Sequence, residues 1–162
     1  MYLTELLVRC SDVEARVGRL YRALSERFAS GGEMARLWRE LAFEEEIHAG
    51  ILRRELESFE QVEDAGAYLP EYAPRLEHVL QVLDDLEERT LTLETLDDAL
   101  VVAMALEQAE LEDLYDDLVV QGYPAFKLIS ERLESVSSAP PAPPRSKGSP
   151  RPARRRSSRS AS

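Results

Sequence analysis

The sequence contains a single cysteine, Cys10. One thiol excludes an intramolecular disulfide, and it also excludes zinc or iron sites built from paired cysteines. Long apolar runs are lacking too, since no stretch approaches the roughly 18 uninterrupted apolar residues of a membrane helix. The N-terminal apolar run carries Glu5 and Arg9, which is not typical of a signal peptide. We therefore expect a cytoplasmic protein without a membrane segment.

Glycine is scarce, with seven in 162 residues, and six of the nine prolines lie between Pro140 and Pro152. Apolar residues recur at three- and four-residue steps, which is typical of amphipathic helices. Ser30 and Glu33 have the spacing of a capping box before the second helix. The predicted helices span about residues 4–28, 34–60, 75–89, 96–120 and 124–138. We interpret them as a four-helix bundle, all-α, with the segment 75–89 as a helical crossover between helices two and three.

Charge divides the chain into two regions. Residues 1–138 carry 13 basic and 31 acidic side chains, whereas residues 139–162 carry seven basic ones and no acidic one. We predict a folded domain over residues 1–138 and a disordered tail over residues 139–162, rich in Pro, Ser and Arg. The tail has the charge to contact nucleic acid, anionic lipid or another acidic partner, or to fold back on its own acidic domain.

Several carboxylates interrupt the apolar stripes of the predicted helices. Glu14 lies four residues after Cys10 and three before Val17, a position that faces the core. Burying an ionised carboxylate costs several kcal/mol without a compensating cation or hydrogen bonds. A spacing of three residues also places two side chains on one helix face, where they can bind the same metal. The candidate metal ligands are Glu14, Glu45, His48, Glu107, Glu110, Glu131 and Glu134.

Each of these motifs has a simpler interpretation when taken alone. A Glu-x-x-His pattern arises by chance in acidic helices, and Glu131 and Glu134 flank Leu133 in a way that also suits a solvated face. One candidate cluster in each of the four helices favours metal binding. Six inward carboxylates are balanced by two ferric ions, and hard iron prefers oxygen donors with an occasional imidazole.

The arrangement resembles the rubrerythrin diiron domain over about residues 5–136. The likeness rests on Glu14 with Tyr21, the run Glu44–Ala49, Glu107-x-x-Glu110 with Tyr115, and Glu131-x-x-Glu134. It implies a ferritin-like bundle with two Fe ions held by the candidate ligands. By the same resemblance, Glu45 and Glu134 bridge the irons and Glu110 exchanges with His48 on reduction. Tyr21 and Tyr115 would be catalytic hydrogen-bond donors that orient the ligands, although both also suit ordinary core positions.

The resemblance further implies an enzyme that reduces hydrogen peroxide in oxidative-stress defence and associates as a homodimer. Rubrerythrins carry a rubredoxin module that this chain lacks, so electrons would come from a separate donor. The connection after helix two is longer than expected, and the fourth helix ends soon after Glu134. Two alternatives stay open: a ferroxidase that oxidises Fe(II) with oxygen or peroxide, and a metal-free helical interaction module.

Overall fold

The computed structural model describes residues 1–59, 66–108, 118 and 124–137. In that part of the chain five helices are defined: α1 (Leu3–Arg27), α2 (Glu33–Phe59), α3 (Tyr72–Leu91), α4 (Leu96–Gln108) and α5 (Pro124–Ser137). Leu118 is also helical. These residues form no β-strand, and an isolated bridge pairs Tyr2 with Tyr68. The predicted all-α class is therefore confirmed.

Most predicted helix bounds lie within one residue of the observed ones. The crossover helix α3 begins three residues before its predicted start and ends two residues beyond its predicted end. The predicted end of the third bundle helix near Val120 lies outside the described residues, as do the tail and its predicted disorder.

A short glycine turn joins α1 to α2. Gly32 has a φ of +59°, a left-handed conformation that glycine adopts without steric cost. A Cβ on Gly31 would approach the carbonyl oxygen of Phe28 to 2.9 Å, so a larger residue would strain the turn. Because α2 begins at Glu33, directly after Gly32, Ser30 is not the N-cap that the capping-box pattern predicted.

Helices α1 and α2 pack against each other as an antiparallel pair. The Ser11 hydroxyl donates to the Ala49 carbonyl at 3.1 Å, and the Ser25 hydroxyl donates to the Ala35 carbonyl at 2.8 Å. The residue nearer the end of α1, Ser25, thus meets the residue nearer the start of α2, Ala35, so the two helices run in opposite directions. The predicted apolar stripe of α1 is buried here, and it forms much of the core through Cys10, Val13, Val17, Leu20 and Leu24.

The other three helices pack around this pair. Helix α3 lies along α1, where Arg16 hydrogen-bonds both Glu87 and Asp84, and α4 packs on α3 and α1. The hydrogen bond to Glu87 is the main reason that the pKa of Arg16 is raised above its usual high value. Helix α5 packs against α2. Among the described residues, no helix is both long and apolar enough to cross a membrane.

Candidate metal centre

Three predicted ligands come together between α1 and α2. Glu14 and Glu45 are each only 7% exposed, and His48 is half-buried. One ligand atom from each of the three side chains lies within 4.8 Å of the others. Within the described residues, this is the group of His, Cys, Asp and Glu side chains whose geometry suits a metal ion.

Helix geometry explains why these side chains meet. Glu45 and His48 are three residues apart, so they lie on the same face of α2, and the nearest pair of atoms is His48 Nδ1 and Glu45 Oε2 at 3.3 Å. Glu14 lies on the buried face of α1 and meets them across the antiparallel packing. Nδ1 is therefore the imidazole nitrogen that faces the Glu45 carboxylate.

The donor set fits a metal such as iron. Two carboxylates and one imidazole match the preference of iron for oxygen ligands with some nitrogen. Carboxylates with 7% exposure lose most of their hydration, and a bound cation compensates for that loss. Two buried acids side by side with an imidazole are therefore a candidate cation site.

Tyr21 connects this region to α4. The ring is fully buried, and its hydroxyl donates to Glu107 Oε1 at 2.5 Å. Tyr21 lies seven residues after Glu14 on the same face of α1, and Glu107 is the penultimate residue of α4. The hydrogen bond fixes one carboxylate oxygen of Glu107, which is the geometry expected of a ligand-orienting tyrosine. The role of Tyr21 stays a prediction.

Three further predicted ligands in the described part of the chain lie outside the cluster. Glu107, Glu131 and Glu134 are exposed, which differs from the expectation that these carboxylates face the core. Among the α5 side chains that the structure describes, Ile129 and Leu133 are buried, one turn apart. Glu131 lies two residues from each of them and so points to the opposite side of the helix. Their ligand roles stay predictions, and Glu110 and Tyr115 lie outside the described residues.

The glutamates beside Glu45 have other surroundings. Glu46 is exposed and forms an ion pair with Arg22 of α1. Glu44 is half-buried. The two neighbours of Glu45 therefore differ from it in burial although all three are glutamates.

Sequence reasoning missed the pair that attaches α5 to α2. Glu55 of α2 forms an ion pair with Arg132, and the Glu55 side chain is only 15% exposed. Glu55 follows His48 by seven residues, so it lies on the same face of α2. This seven-residue spacing could have predicted that Glu55 lies on the same face of α2 as His48. Its partner on α5, Arg132, is known only from the tertiary structure.

Comparison with known proteins supports the resemblance drawn from the residues. The protein-family model described as Rubrerythrin matches residues 5–133. No curated protein and no solved structure matches the chain. The matched segment begins before Glu14 and ends just before Glu134, so it includes all three residues of the described cluster.

Proposed function

The chain belongs to the rubrerythrin family, whose members are ferritin-like diiron proteins, and from that premise we propose that it is a non-haem diiron oxidoreductase that reduces hydrogen peroxide. One observation carries the proposal: Glu14, Glu45 and His48 form a buried group whose ligand atoms lie within 4.8 Å of one another. Conversion of peroxide to two waters consumes two electrons and two protons. Bound iron would supply the Lewis acid and the electrons for that reduction.

The residues have distinct roles in this proposal. Glu14, Glu45 and His48 hold iron between α1 and α2. Glu107 adds a carboxylate from α4, and Tyr21 keeps one of its oxygens oriented by donating to it. The resemblance adds Glu110, Glu131 and Glu134 as further ligands and Tyr115 as a second donor.

The side chains that surround the site are mostly apolar, which would limit side reactions of bound iron with water. The side chains next to the ligands on α1 are apolar and almost fully buried, among them Cys10, Val13 and Val17. A dry lining strengthens the attraction between carboxylates and a cation and limits side reactions with water. Because Cys10 is the single cysteine, no cysteine-ligated iron site within the chain can deliver electrons. We therefore propose a separate electron donor. The family resemblance supports the further proposal of a homodimer, and the charged N-terminal segment supports a cytoplasmic location.

The decisive experiment measures iron and reactivity together. Apo protein is loaded with Fe(II) under anaerobic conditions, freed of excess metal, analysed for iron per chain, and mixed with peroxide or with oxygen in a stopped-flow absorption experiment. We expect about two irons per chain and faster oxidation by peroxide than by oxygen, with the iron retained afterwards.

Two other outcomes of this experiment would support a different function. Faster oxidation by oxygen followed by release of iron would indicate a ferroxidase. A well-folded protein that binds no iron would contradict the diiron proposal and favour a helical interaction module.

A further inference from the structure

Gly18 lies in the middle of α1, one turn after Glu14, and is buried against α2. Its backbone is helical, and the positive-φ glycine of the described residues is Gly32. Alanine could therefore adopt the backbone conformation of Gly18, and in a helix interior it is the more favourable residue. The backbone conformation therefore does not explain why a glycine occupies position 18. The restricted space around this position is the remaining explanation.

Space is restricted at this position by α2. A Cβ placed on Gly18 would lie 3.2 Å from the carbonyl oxygen of Ala42 and 3.2 Å from the Cβ of Glu45. Non-bonded carbon atoms pack best at about 3.5–4.0 Å. Neither contacted atom is the end of a flexible side chain, so a rotamer change cannot relieve the overlap. The two helices would have to separate by a few tenths of an ångström.

Close approach of α1 and α2 extends to both sides of Gly18. Ser11 and Ser25, each seven residues away, are buried and donate hydrogen bonds to the carbonyls of Ala49 and Ala35. Ala42, which Gly18 faces, is likewise seven residues from each of those alanines. Three small residues of α1 thus face three backbone carbonyls of α2 in a regular series. The hydroxyl hydrogen bonds hold the helices close at the ends of the series, and Gly18 allows the same approach in its centre.

The centre of this series coincides with the ligand cluster. The Cβ of Glu45, one of the two atoms that limit the space at Gly18, is where the Glu45 side chain begins, and Glu14 lies one turn before Gly18. Metal–ligand distances in well-formed sites lie within about 0.2 Å of their usual values. A displacement of a few tenths of an ångström between α1 and α2 is therefore large on the scale of the site.

We propose that Gly18 is a positioning residue of the metal site: its missing side chain sets the separation between Glu14 on α1 and Glu45 with His48 on α2, and thereby sets metal affinity. This inference rests on the proposed function because it requires that a metal binds to these ligands. Gly18 itself touches no metal. It acts through the spacing of the two helices.

The test compares Gly18→Ala with Gly50→Ala in the full-length chain. Gly50 lies in α2, two residues after His48, and a Cβ there meets nothing within 4 Å, so it is the matched control. Both apo proteins are titrated with Co²⁺, whose visible absorption reports ligand geometry, and then with Fe²⁺ without oxygen. We expect Gly18→Ala to weaken Co²⁺ binding by about 10- to 100-fold and to shift its absorption bands. Gly50→Ala should keep the wild-type affinity and spectrum.

Protein stability is measured separately so that folding and positioning are distinguished. Thermal unfolding of each apo protein shows whether the substitution alters the fold, and the double variant Gly18→Ala/Gly50→Ala provides a background in which alanine at position 50 favours the helix. If Gly18→Ala, alone or in the double variant, binds Co²⁺ with wild-type affinity and spectrum, the positioning role is wrong. If the wild-type chain binds neither Co²⁺ nor Fe²⁺, the proposed metal function fails instead.

Discussion

The α1–α2 pair and the α4–α5 region contribute differently to the candidate site. In the first, Glu14, Glu45 and His48 are largely buried and mutually close. In the second, the described carboxylates Glu107, Glu131 and Glu134 are exposed. Helices α1 and α2 are joined by a short glycine turn and packed against each other, and the described parts of α4 and α5 pack against this pair.

This difference shows what creates a buried carboxylate site. A glutamate on an apolar stripe becomes buried only where a second helix covers that stripe closely. The small residues of α1 provide such coverage, since Ser11, Gly18 and Ser25 let the α2 backbone approach. Among the described side chains of α5, Ile129 and Leu133 are buried, whereas Glu131 and Glu134 are exposed. Within the described residues, the α1–α2 pair thus brings Glu14, Glu45 and His48 together.

The largest effect is expected from Glu45→Ala. This substitution removes a carboxylate from the centre of the α1–α2 cluster, so at least one iron should no longer bind. The loss should also appear in thermal unfolding, because a ligand at 100 times its Kd stabilises a protein by about 2.7 kcal/mol. Iron per chain and the iron-induced rise in Tm are the measurements.

Glu46→Ala is the matched control for that substitution. Glu46 is exposed and paired with Arg22, and surface ion pairs contribute about 0–1 kcal/mol. We expect the variant to bind iron as the wild type does. Equal iron loss in Glu45→Ala and Glu46→Ala would show that helix facing does not determine the ligands.

The double variant Glu131→Ala/Glu134→Ala tests the α5 side of the comparison. If these residues are ligands, as the resemblance predicts, iron content should fall by about one ion per chain while the α1–α2 ligands keep the other. Arg132→Ala, which breaks the ion pair with Glu55, is the companion variant because it loosens α5 without removing a predicted ligand. Unchanged iron content in the double variant would remove α5 from the site.

A smaller effect is expected from Tyr21→Phe. The substitution keeps the buried ring but removes the hydroxyl that donates to Glu107. Without that hydrogen bond the Glu107 carboxylate is less well oriented, and iron affinity should fall by about 10-fold, at the low end for residues that orient ligands. Anaerobic Fe(II) titration measures the change.

Tyr2→Phe serves as the control, because Tyr2 is 56% exposed. It should bind iron like the wild type. If Tyr21→Phe also bound iron normally and unfolded at the wild-type temperature, the Tyr21 hydroxyl would have neither a positioning nor a structural role.

Sequence periodicity predicted the described helices and placed Glu14, Glu45 and His48 on inward faces of α1 and α2. The structure brings these three side chains together because the two helices are adjacent in sequence and pack closely. Their role as metal ligands stays a prediction. The exposure of Glu131 and Glu134 was harder to predict, because their spacing suits both an inward and a solvated face of α5. The choice of which α5 face meets α2 depends on tertiary contacts such as Glu55 with Arg132.

Gly18 illustrates a different limit of sequence reasoning. In the sequence it is an isolated glycine within a helical pattern, and periodicity alone gives such a residue no role. Its significance appears only when the α2 backbone is placed 3.2 Å from its missing Cβ. The regular series of Ser11, Gly18 and Ser25 was visible in the sequence, but the carbonyls that it faces were not.

The smallest effect is expected from Arg16→Gln, which tests whether the crossover helix lies outside the site. Arg16 forms two 2.9 Å hydrogen bonds to Glu87 and one of 2.5 Å to Asp84, so it fastens α3 to α1. Because both partners are substantially exposed, the loss should lower the free energy of unfolding by about 1 kcal/mol, and Tm by about 3 °C. Iron per chain should stay at the wild-type value.

Salt and pH sharpen this last prediction. High salt should reduce the stability difference between wild type and Arg16→Gln, since screening weakens exposed ion pairs. The hydrogen bond to Glu87 raises the pKa of Arg16, so the guanidinium's contribution is lost only as the pH rises through that raised pKa. The difference should therefore persist in mildly alkaline buffer.

Arg36→Gln is the control, because Arg36 forms an exposed 3.6 Å ion pair with Glu40; it should lower the free energy of unfolding by less than Arg16→Gln does. A fall in iron content for Arg16→Gln would instead show that the contact between α1 and α3 affects metal binding.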